Sequence, residues 1–372
     1  MSKKAVWAQT LVFTAFIAVF FVLNLLTPER GFSERENRVL QTAPRFSFSS
    51  LFAGKFTGTY EDYVTDQFAF RDGWITLKAR SELISGKQEN NGVYLCENGT
   101  LIERFEKPDY DGVDFSLDAI NTLADSSSAQ VYFALIPSAS EIWSGMLPAG
   151  APDYRQKYVI DYAYAHTNAK TVDMYSALEK HSGENIFYRT DHHWTTLGAY
   201  YGYDALMRSM RMEPLPLSEY IPRTVTDSFY GTTYSSSGFS WVPADSITAY
   251  VEQGEVKITN YPNGEPLEGM LYDESFLSVK DKYSYFYGGN TPLLEIDTGN
   301  TGAPSLLIIR DSYMDSLSPF LFPHFSNISI LDLRYYKTGL GAYIEEKGFD
   351  NILVCYSVPN FVSDGNIFRV AS

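Results

Sequence analysis

The segment at 305–313 has the sequence SLLIIRDSY, an apolar run followed by an arginine, an aspartate and a serine, Ser312. Such a run is typical of a buried strand, and reactive groups of open α/β sheets commonly follow the ends of these strands. A second segment, 188–200, has the sequence YRTDHHWTTLGAY and places Asp191 two residues before His193. Together the segments supply the residue types of a Ser-His-Asp acyl-transfer site, in the chain order Asp, His, Ser.

The chemistry of such a site explains why these residue types are needed. A serine hydroxyl is a poor nucleophile unless a base lies within hydrogen-bond reach and a third group orients that base. Asp191 and His193 could supply the orienting group and the base from one short turn. The RDSY step differs from the G-x-S-x-G elbow of α/β-hydrolases. On spacing alone, a purely structural His-Asp pair stays an alternative.

The neighbouring histidine and aromatic residues have other interpretations. His192 and His193 are adjacent, and consecutive residues rarely point at one ion; no spaced Cys or His cluster completes a metal site. We therefore expect neither a metal nor another cofactor. Trp194, Tyr285 and Tyr287 could contact a glycan by stacking on sugar rings, whereas the competing interpretation is that they pack inside the protein.

Short apolar runs alternate with helical patterns along most of the chain, which predicts an α/β fold with a doubly wound parallel sheet. Strands are predicted at 93–95, 100–102, 129–136, 170–173, 305–309, 327–333 and 351–356, and helices at 75–85, 117–124, 154–165, 195–210 and 341–347. Thr195 is the predicted N-cap of the helix after the Asp191–His193 turn. Residues 212–300 are rich in Ser, Thr, Gly, Pro and aromatics, and we predict a mainly β insertion there.

The N-terminus predicts a membrane anchor. Lys3 and Lys4 precede an uncharged stretch at 5–26, which is long enough to cross a bilayer as a helix. A cleaved signal peptide is the alternative, but its apolar region is shorter and ends in small residues. The lysines predict a cytoplasmic N-terminus and an extracytoplasmic remainder. We expect an anchor at 1–27, a stalk and docking segment at 28–90, and a catalytic domain at 91–372.

Charge and cysteine content limit the partners. The 45 acidic residues against 29 basic ones give a net charge of −16. Such a surface repels nucleic acid, so we expect no nucleic-acid partner. Only Cys96 and Cys355 are present, which excludes a disulfide-rich scaffold. Two buried free thiols are favoured, although an extracytoplasmic compartment would permit one bridge between them.

Five segments carry a resemblance to a known family. The 188–200 segment resembles the signature of the bacterial DHHW proteins. The segments Glu36–Arg38 (ENR), Asp66–Arg71 (DQFAFR), Gly92–Leu95 (GVYL) and Asp311–Tyr313 (DSY) also lie where that family would place them. The resemblance covers most of the chain.

The DHHW proteins in turn resemble the SGNH-like alginate O-acetyltransferases. That resemblance implies that Asp191 orients, His193 acts as the base and Ser312 is the nucleophile, with His192 as a neighbour outside the triad. It also implies a circularly permuted SGNH fold, because ordinary members have the serine first. Arg310 occupies the position before the Asp-Ser step where that family usually has glycine.

The implied activity is O-acetylation of a cell-surface or exported polysaccharide, with a multi-pass membrane acyltransferase supplying the acyl group. We expect the Ser312 backbone N–H to stabilise the oxyanion, with Arg334 and Tyr313 as weaker oxyanion or substrate-positioning candidates. A carbohydrate esterase would use the same triad with water as acceptor. A non-catalytic glycan-binding scaffold would keep the fold with an unproductive serine.

Overall fold

The apolar runs of the sequence lie side by side in one sheet. The computed structural model describes residues 2–251 and 256–371. Its strands are β1 (Phe32–Ser33), β2 (Arg38–Val39), β3 (Glu89–Asn90), β4 (Val93–Leu95), β5 (Leu101–Glu103), β6 (Gln130–Ile136), β7 (Lys170–Val172), β8 (Ile221–Phe229), β9 (Asp245–Val251), β10 (Lys257–Asn260), β11 (Leu267–Glu268), β12 (Leu293–Asp297), β13 (Leu306–Arg310), β14 (Asn327–Leu331) and β15 (Asn351–Ser357).

The α-helices occupy the segments between them. They are α1 (Lys3–Leu26), α2 (Phe48–Phe52), α3 (Lys55–Asp66), α4 (Arg71–Ile84), α5 (Tyr110–Ser126), α6 (Ala139–Ile142), α7 (Gln156–Ala165), α8 (Met174–Lys180), α9 (Thr196–Ser209), α10 (Thr232–Ser237), α11 (Met314–Leu317), α12 (Leu340–Lys347) and α13 (Val358–Ser363). The predicted strands and helices of the α/β pattern are found within a few residues of their expected bounds, except that the helix predicted at 117–124 begins earlier, at Tyr110.

Contacts divide the chain into two units. The first comprises Met1–Asn91 with Gly238–Ser240, and the second comprises Gly92–Ser237 with Trp241–Ser372. In the first unit, α1 is long and apolar enough to cross a membrane, and none of its residues is buried. Carboxylates and guanidinium groups hold α3 and α4 to the β1–β2 segment, through the pairs Arg38–Asp66 and Arg71–Glu36. The ENR and DQFAFR segments thus bind each other.

The second unit is a mixed α/β fold around a sheet of order β11-β10-β12-β14-β13-β15-β6-β7. The strands β14, β13, β15, β6 and β7 are parallel neighbours, and β12, β10 and β11 add antiparallel strands at one side. Because the parallel strands end at the same edge, the loop after β13 lies at the edge where loops after β14, β15 and β6 also begin.

Successive side chains of the central strands point to opposite faces of the sheet, so a hydrophobic core forms on each face. Leu306 and Ile308 of β13 pack into one core with α9, and Leu307 and Ile309 pack into the other with α5 and α7. Each such side chain, when fully buried, contributes about 1.5–3 kcal/mol. The central strands are therefore fixed from both sides, and so is the place where β13 ends.

Part of the predicted β insertion at 212–300 belongs to the main sheet. Strands β10, β11 and β12 extend that sheet, whereas β8 and β9 form a separate antiparallel pair. Residues 252–255 of this segment lie outside the described residues. The 212–300 boundaries and the domain roles stay predictions.

Arg310, at the end of β13, replaces the expected glycine and is a buried ion-pair residue. Its side chain is 1% exposed, and its guanidinium lies 2.8 Å from Asp315 and 3.7 Å from Asp332. It also donates to Asn290 Oδ1 at 3.0 Å. Burial raises the pKa of Asp315 to about 7 in spite of Arg310. The arginine therefore compensates negative charge that the loop after β13 brings inside.

We predict that Arg310→Ala lowers the free energy of unfolding by about 3–5 kcal/mol, because it leaves the buried Asp315 without its arginine, while Asp332 keeps its pair with Arg334. The matched control is Arg208→Ala, which removes an exposed ion pair with Asp204 and should change stability far less, because water screens that pair. Urea titration of both variants checks the prediction. Equal effects would show that the buried cluster contributes no more than a surface pair.

Candidate active site

A short antiparallel bridge positions the Asp191–His193 turn. Phe187 and Trp194 pair across it, and the backbone N–H of Tyr188 donates to the carbonyl of His193 at 3.2 Å. The side chain of Thr195 caps α9 by accepting from Gly198 N at 3.2 Å, which confirms the predicted N-cap. The turn is therefore held between a bridge and a helix start.

Trp194 joins this turn to the serine loop. Its indole N–H lies 2.8 Å from the carbonyl of Tyr313 and 3.1 Å from Ser316 Oγ. The ring is fully buried and packs near Gly202, where a Cβ would lie 2.8 Å from it. Packing and hydrogen bonds together fix the two segments that carry the predicted residues.

The structure brings Asp191, His193 and Ser312 together. His193 Nε2 lies 2.7 Å from Ser312 Oγ, and His193 Nδ1 lies 2.5 Å from Asp191 Oδ1. A carboxylate only accepts, so the hydrogen bond to Asp191 assigns the imidazole proton to Nδ1. Nε2 is then free to accept the Ser312 proton, which is the arrangement that nucleophilic activation requires. Their catalytic role stays a prediction.

Four hydrogen bonds converge on the Asp191 carboxylate. Besides the His193 ring, it accepts from the His193 backbone N–H at 3.0 Å and from Thr232 through its backbone N–H at 2.8 Å and its hydroxyl at 3.0 Å. At Gly231, a Cβ would lie 2.1 Å from Asp191 Oδ2, so only glycine fits there. Gly231 directly precedes α10 and Thr232 begins it, far from Asp191 in the sequence, and no sequence pattern linked them to the site.

Burial and these partners set the two pKa values. Burial opposes charge on Asp191, but His193, His192 and the hydrogen bonds outweigh it and hold the Asp191 pKa below its ordinary value. Burial lowers the pKa of His193 below 6.5, and His192 lowers it further, while Asp191 works in the opposite direction. Asp191 is therefore ionised and His193 neutral at pH 7, as a general base requires.

Two tyrosine rings enclose the imidazole. Tyr283 stacks on His193 with ring centroids 3.9 Å apart and an interplanar angle of 8°, and its hydroxyl donates to the carbonyl of Ser312 at 3.1 Å. The Tyr313 ring lies 5.0 Å away on a tilted plane, and its hydroxyl donates to the carbonyl of His192. The sequence signal for Tyr283 was the aromatic run at 283–287, which did not reveal which ring faces the site.

Asp311 fixes the loop that carries Ser312. Its carboxylate accepts from Tyr313 N at 3.1 Å, from Ser357 N and Oγ at 2.8 and 2.7 Å, and from Asn360 Nδ2 at 2.8 Å. This buried residue ties the end of β13 to the loop after β15. Sequence reasoning quoted Asp311 in the motif but assigned it no role.

The backbone N–H of Ser312 remains available for an oxyanion. Within residues 2–251 and 256–371, it donates to none of the backbone or side-chain acceptors found. Arg334, the weaker candidate, forms a two-pronged pair with Asp332 at 2.9 and 2.7 Å, so its guanidinium is already bound. The Tyr313 hydroxyl donates to the carbonyl of His192 and its backbone N–H donates to Asp311, so both of its donors are also already bound.

His192 lies beside the triad and bonds to Thr232. Its ring centroid is 3.9 Å from that of His193, and its Nδ1 lies 2.5 Å from Thr232 Oγ1. Because Thr232 donates its hydroxyl proton to Asp191, it accepts from His192. The nitrogen and carboxylate atoms of Asp191, His192 and His193 lie within 4.8 Å of one another, but they already have hydrogen-bond partners, which favours the triad over a metal site.

The predicted glycan contacts are wrong. Trp194 and Tyr285 are 0% exposed, and Tyr287 is 3% exposed. Trp194 bonds to the serine loop, the Tyr285 hydroxyl accepts from Arg223 at 2.6 Å, and the Tyr287 hydroxyl pairs with Ser318 at 2.7 Å. Rings enclosed in this way cannot stack on a polymer.

A cavity of about 200 Å³ borders the site. Asp191, His192 and Tyr313 form one side of it, and Phe105 and Ser138 belong to its lining. The lining combines apolar surface with hydroxyls, the carboxylates of Glu103 and Asp191 and the guanidinium of Arg104; Ser312 and His193 are beside the cavity and do not line it. It can therefore hold a small group that has both an apolar part and hydrogen-bonding oxygens.

The family model described as "DHHW protein" matches residues 119–331, more than half of the chain. The chain is a DHHW protein. The family predicted from the YRTDHHWTTLGAY segment is thereby confirmed. No curated protein matches this DHHW chain.

Two solved structures share the fold of this DHHW protein. A crystal structure of a DHHW family protein from Eubacterium siraeum DSM 15702 matches with a TM-score of 0.66 and 26% identity, over 76% of this chain and 95% of that one. Bacillus cereus PatB1, solved with a sulfonyl adduct, matches with a TM-score of 0.63 and 19% identity, over 75% of this chain and 100% of that one. The O-acetyltransferase domain of Pseudomonas putida AlgJ is less similar, with a TM-score of 0.47 and 13% identity, over 73% of this chain and 93% of that one.

We predict that acylation of Ser312 increases with pH around a midpoint below 6.5, because the neutral form of His193 is the base and burial lowers its pKa. Reactivity is lost as the pH falls through that midpoint. His192→Ala removes a positive neighbour and should raise the midpoint. The check is the rate of Ser312 modification by a small acylating ester from pH 4 to 9. A midpoint above 6.5 in the unaltered protein would contradict the assignment.

Proposed function

We propose that this DHHW protein is a membrane-anchored, extracytoplasmic O-acyltransferase, most simply an O-acetyltransferase, that modifies hydroxyls of a cell-surface or exported polysaccharide. The observation that carries the proposal is the 2.7 Å separation of His193 Nε2 from Ser312 Oγ, with Asp191 on the opposite ring nitrogen. A Ser-His-Asp site with a neutral, buried imidazole is suited to acyl transfer.

In the first step, Ser312 Oγ bonds to the carbonyl carbon of an acyl donor while its proton passes to His193 Nε2. His193 then gives that proton to the departing group, and the acyl group stays on Ser312. Asp191 stabilises the imidazolium that forms between these events. The Ser312 N–H donates to the oxyanion; removal of one such donor costs roughly 3 kcal/mol.

In the second step, an acceptor hydroxyl gives its proton to His193 and attacks the acyl carbonyl. Ser312 leaves and recovers the proton, so the enzyme ends unchanged. A sugar hydroxyl as acceptor gives a transferase, and water gives the esterase alternative. The cavity beside Asp191 and Tyr313 supports a small acyl group such as acetyl. We infer that a multi-pass membrane acyltransferase supplies that group.

The domain assignment follows from the same proposal. Residues 1–27 would be the tail and anchor, 28–90 a stalk and docking segment, and 91–372 the catalytic domain with its insertion at about 212–300. The order of Asp191, His193 and Ser312 supports a circularly permuted SGNH-like arrangement. The acidic surface supports a neutral or cationic acceptor and no nucleic acid.

We predict that the purified protein cleaves a nitrophenyl acetate, and that Ser312→Ala, His193→Ala and Asp191→Ala each abolish most of this activity. Combined variants should lose much less than the sum of the single effects, because triad members act as a unit. His192→Ala is the matched control and should be much milder, since its Nδ1 pairs with Thr232.

Adding a sugar oligomer separates the alternatives. A transferase should place acetyl groups on the oligomer while hydrolysis falls, whereas an esterase should leave the oligomer unmodified. Protein that neither cleaves the ester nor becomes acylated at Ser312 would contradict both enzymes and favour a glycan-binding scaffold.

We also predict that the mature protein retains residues 1–30 and exposes the rest to external protease in intact cells. The reason is the uncharged span of α1 after Lys3 and Lys4. Mass spectrometry of the mature N-terminus and protease treatment of cells check this. A mature N-terminus near residue 27 or beyond would contradict retention, and complete protection would contradict the compartment.

A further inference from the structure

One helix of the first unit carries an apolar stripe that the protein leaves open. Trp74, Leu77 and Ile84 follow one another at helical spacing on α4, so these three side chains share one face, and Phe70 immediately precedes the helix. The four residues, in that order, are 38%, 53%, 88% and 68% exposed. We call them the α4 stripe. Exposed apolar stripes of this kind usually have an apolar partner.

The beginning of the α4 stripe is attached to the outer part of α1. The Phe20 ring of α1 lies 5.6 Å from the Phe68 ring, stacked at 8°, and 5.5 Å from the Trp74 ring. Asn24 Oδ1 accepts from the backbone N–H of Ala69 at 2.7 Å. The α3–α4 corner and the last two turns of α1 therefore form one packed structure within this unit.

That attachment fixes the depth of the corner if α1 spans the membrane. Lys3 and Lys4 would keep the cytoplasmic end of α1 at the headgroups. A hydrocarbon core of about 30 Å then takes roughly 20 residues at 1.5 Å per residue, which places its outer boundary near Asn24. Phe20 lies about 6 Å below that boundary. Phe68 and Trp74, which pack on Phe20, would then lie at or just inside the lipid boundary.

The backbone at Phe70 gives an independent reason to expect a ligand for the α4 stripe. Phe70 has φ 60° and ψ 27°, a left-handed conformation that is unfavourable for a residue with a bulky side chain. Most of its ring is exposed, so burial within the protein does not offset the energetic cost of this backbone conformation. Strained positions persist where they serve a function, and here the strain turns an aromatic ring outward.

We propose that α4 is an interfacial helix and that the α4 stripe inserts into the outer face of the bilayer that α1 crosses. The protein would thus be held on the membrane at two places, by a spanning helix and by a helix lying in the interface. Aromatic rings at this depth match the preference of tryptophan for the interface. Lys78 lies on α4 with its ammonium on the uncharged amide of Asn91, where it can also meet a lipid phosphate, whereas Lys87 just after α4 is paired with Glu82.

The test uses the full chain, reconstituted in vesicles of phosphatidylcholine and phosphatidylglycerol. A nitroxide is attached at Phe70→Cys and, separately, at Leu77→Cys. The matched control is Phe115→Cys on α5, whose native ring is 61% exposed, and Phe13→Cys reports whether α1 is in lipid. The native thiols Cys96 and Cys355 are buried. Thermal unfolding verifies that each labelled variant is folded.

We expect the labels at 70 and 77 to be several-fold more accessible to oxygen, relative to a water-soluble nickel chelate, than the label at 115. A label at 13 in lipid with labels at 70 and 77 in water would overturn the proposal while leaving the anchor intact. Labels in water at all of these positions would overturn both. The same measurement is repeated in membranes isolated from cells that express the protein. Labels at 70 and 77 that are in water in the vesicles but shielded from both reagents in these membranes would assign the α4 stripe to a membrane-protein partner and so overturn insertion into lipid.

Discussion

The buried carboxylate of Asp191 is the group on which the site depends. A charge removed from water must be compensated by hydrogen bonds, and the surroundings of Asp191 supply donors from His193 and Thr232. The same bonds fix the His193 tautomer and direct Nε2 to Ser312. Gly231 must lack a side chain for this contact to form. The geometry of the base is thus a consequence of satisfying one buried charge.

The serine is fixed by a second buried carboxylate of the same kind. Asp311 joins the end of β13 to Ser357 and Asn360 after β15, while Trp194 binds the same loop from the histidine side. Behind the loop, Arg310 compensates Asp315 and Asp332. The position usually occupied by glycine can hold an arginine because its guanidinium is directed into this cluster. The position of Ser312 and the buried ion pairs of Arg310 therefore depend on each other.

The parts predicted from sequence are those that local pattern determines. The apolar runs predicted the strands β13, β14, β15 and β6, and the hydroxyl of Thr195 predicted the start of α9. The residues that were missed come together only through tertiary structure. In the run at 283–287, sequence favoured Tyr285 and Tyr287 for contact, whereas Tyr283 is the ring that stacks on His193. The spacing of aromatic residues along an irregular segment cannot show which ring faces the site. Nor can it show that Thr232 binds Asp191, because the two residues meet only in the folded protein.

The central claim is that His193 activates Ser312, and sulfonyl fluoride labelling followed by mass spectrometry of the intact and digested protein tests it most directly. The account predicts one sulfonyl group per chain, located on Ser312, with labelling reduced to background in His193→Ala. Asp191→Asn should label slowly, because the imidazole loses its orienting acceptor. Labelling spread over other hydroxyls, or labelling of Ser312 at an unchanged rate in His193→Ala, would contradict it.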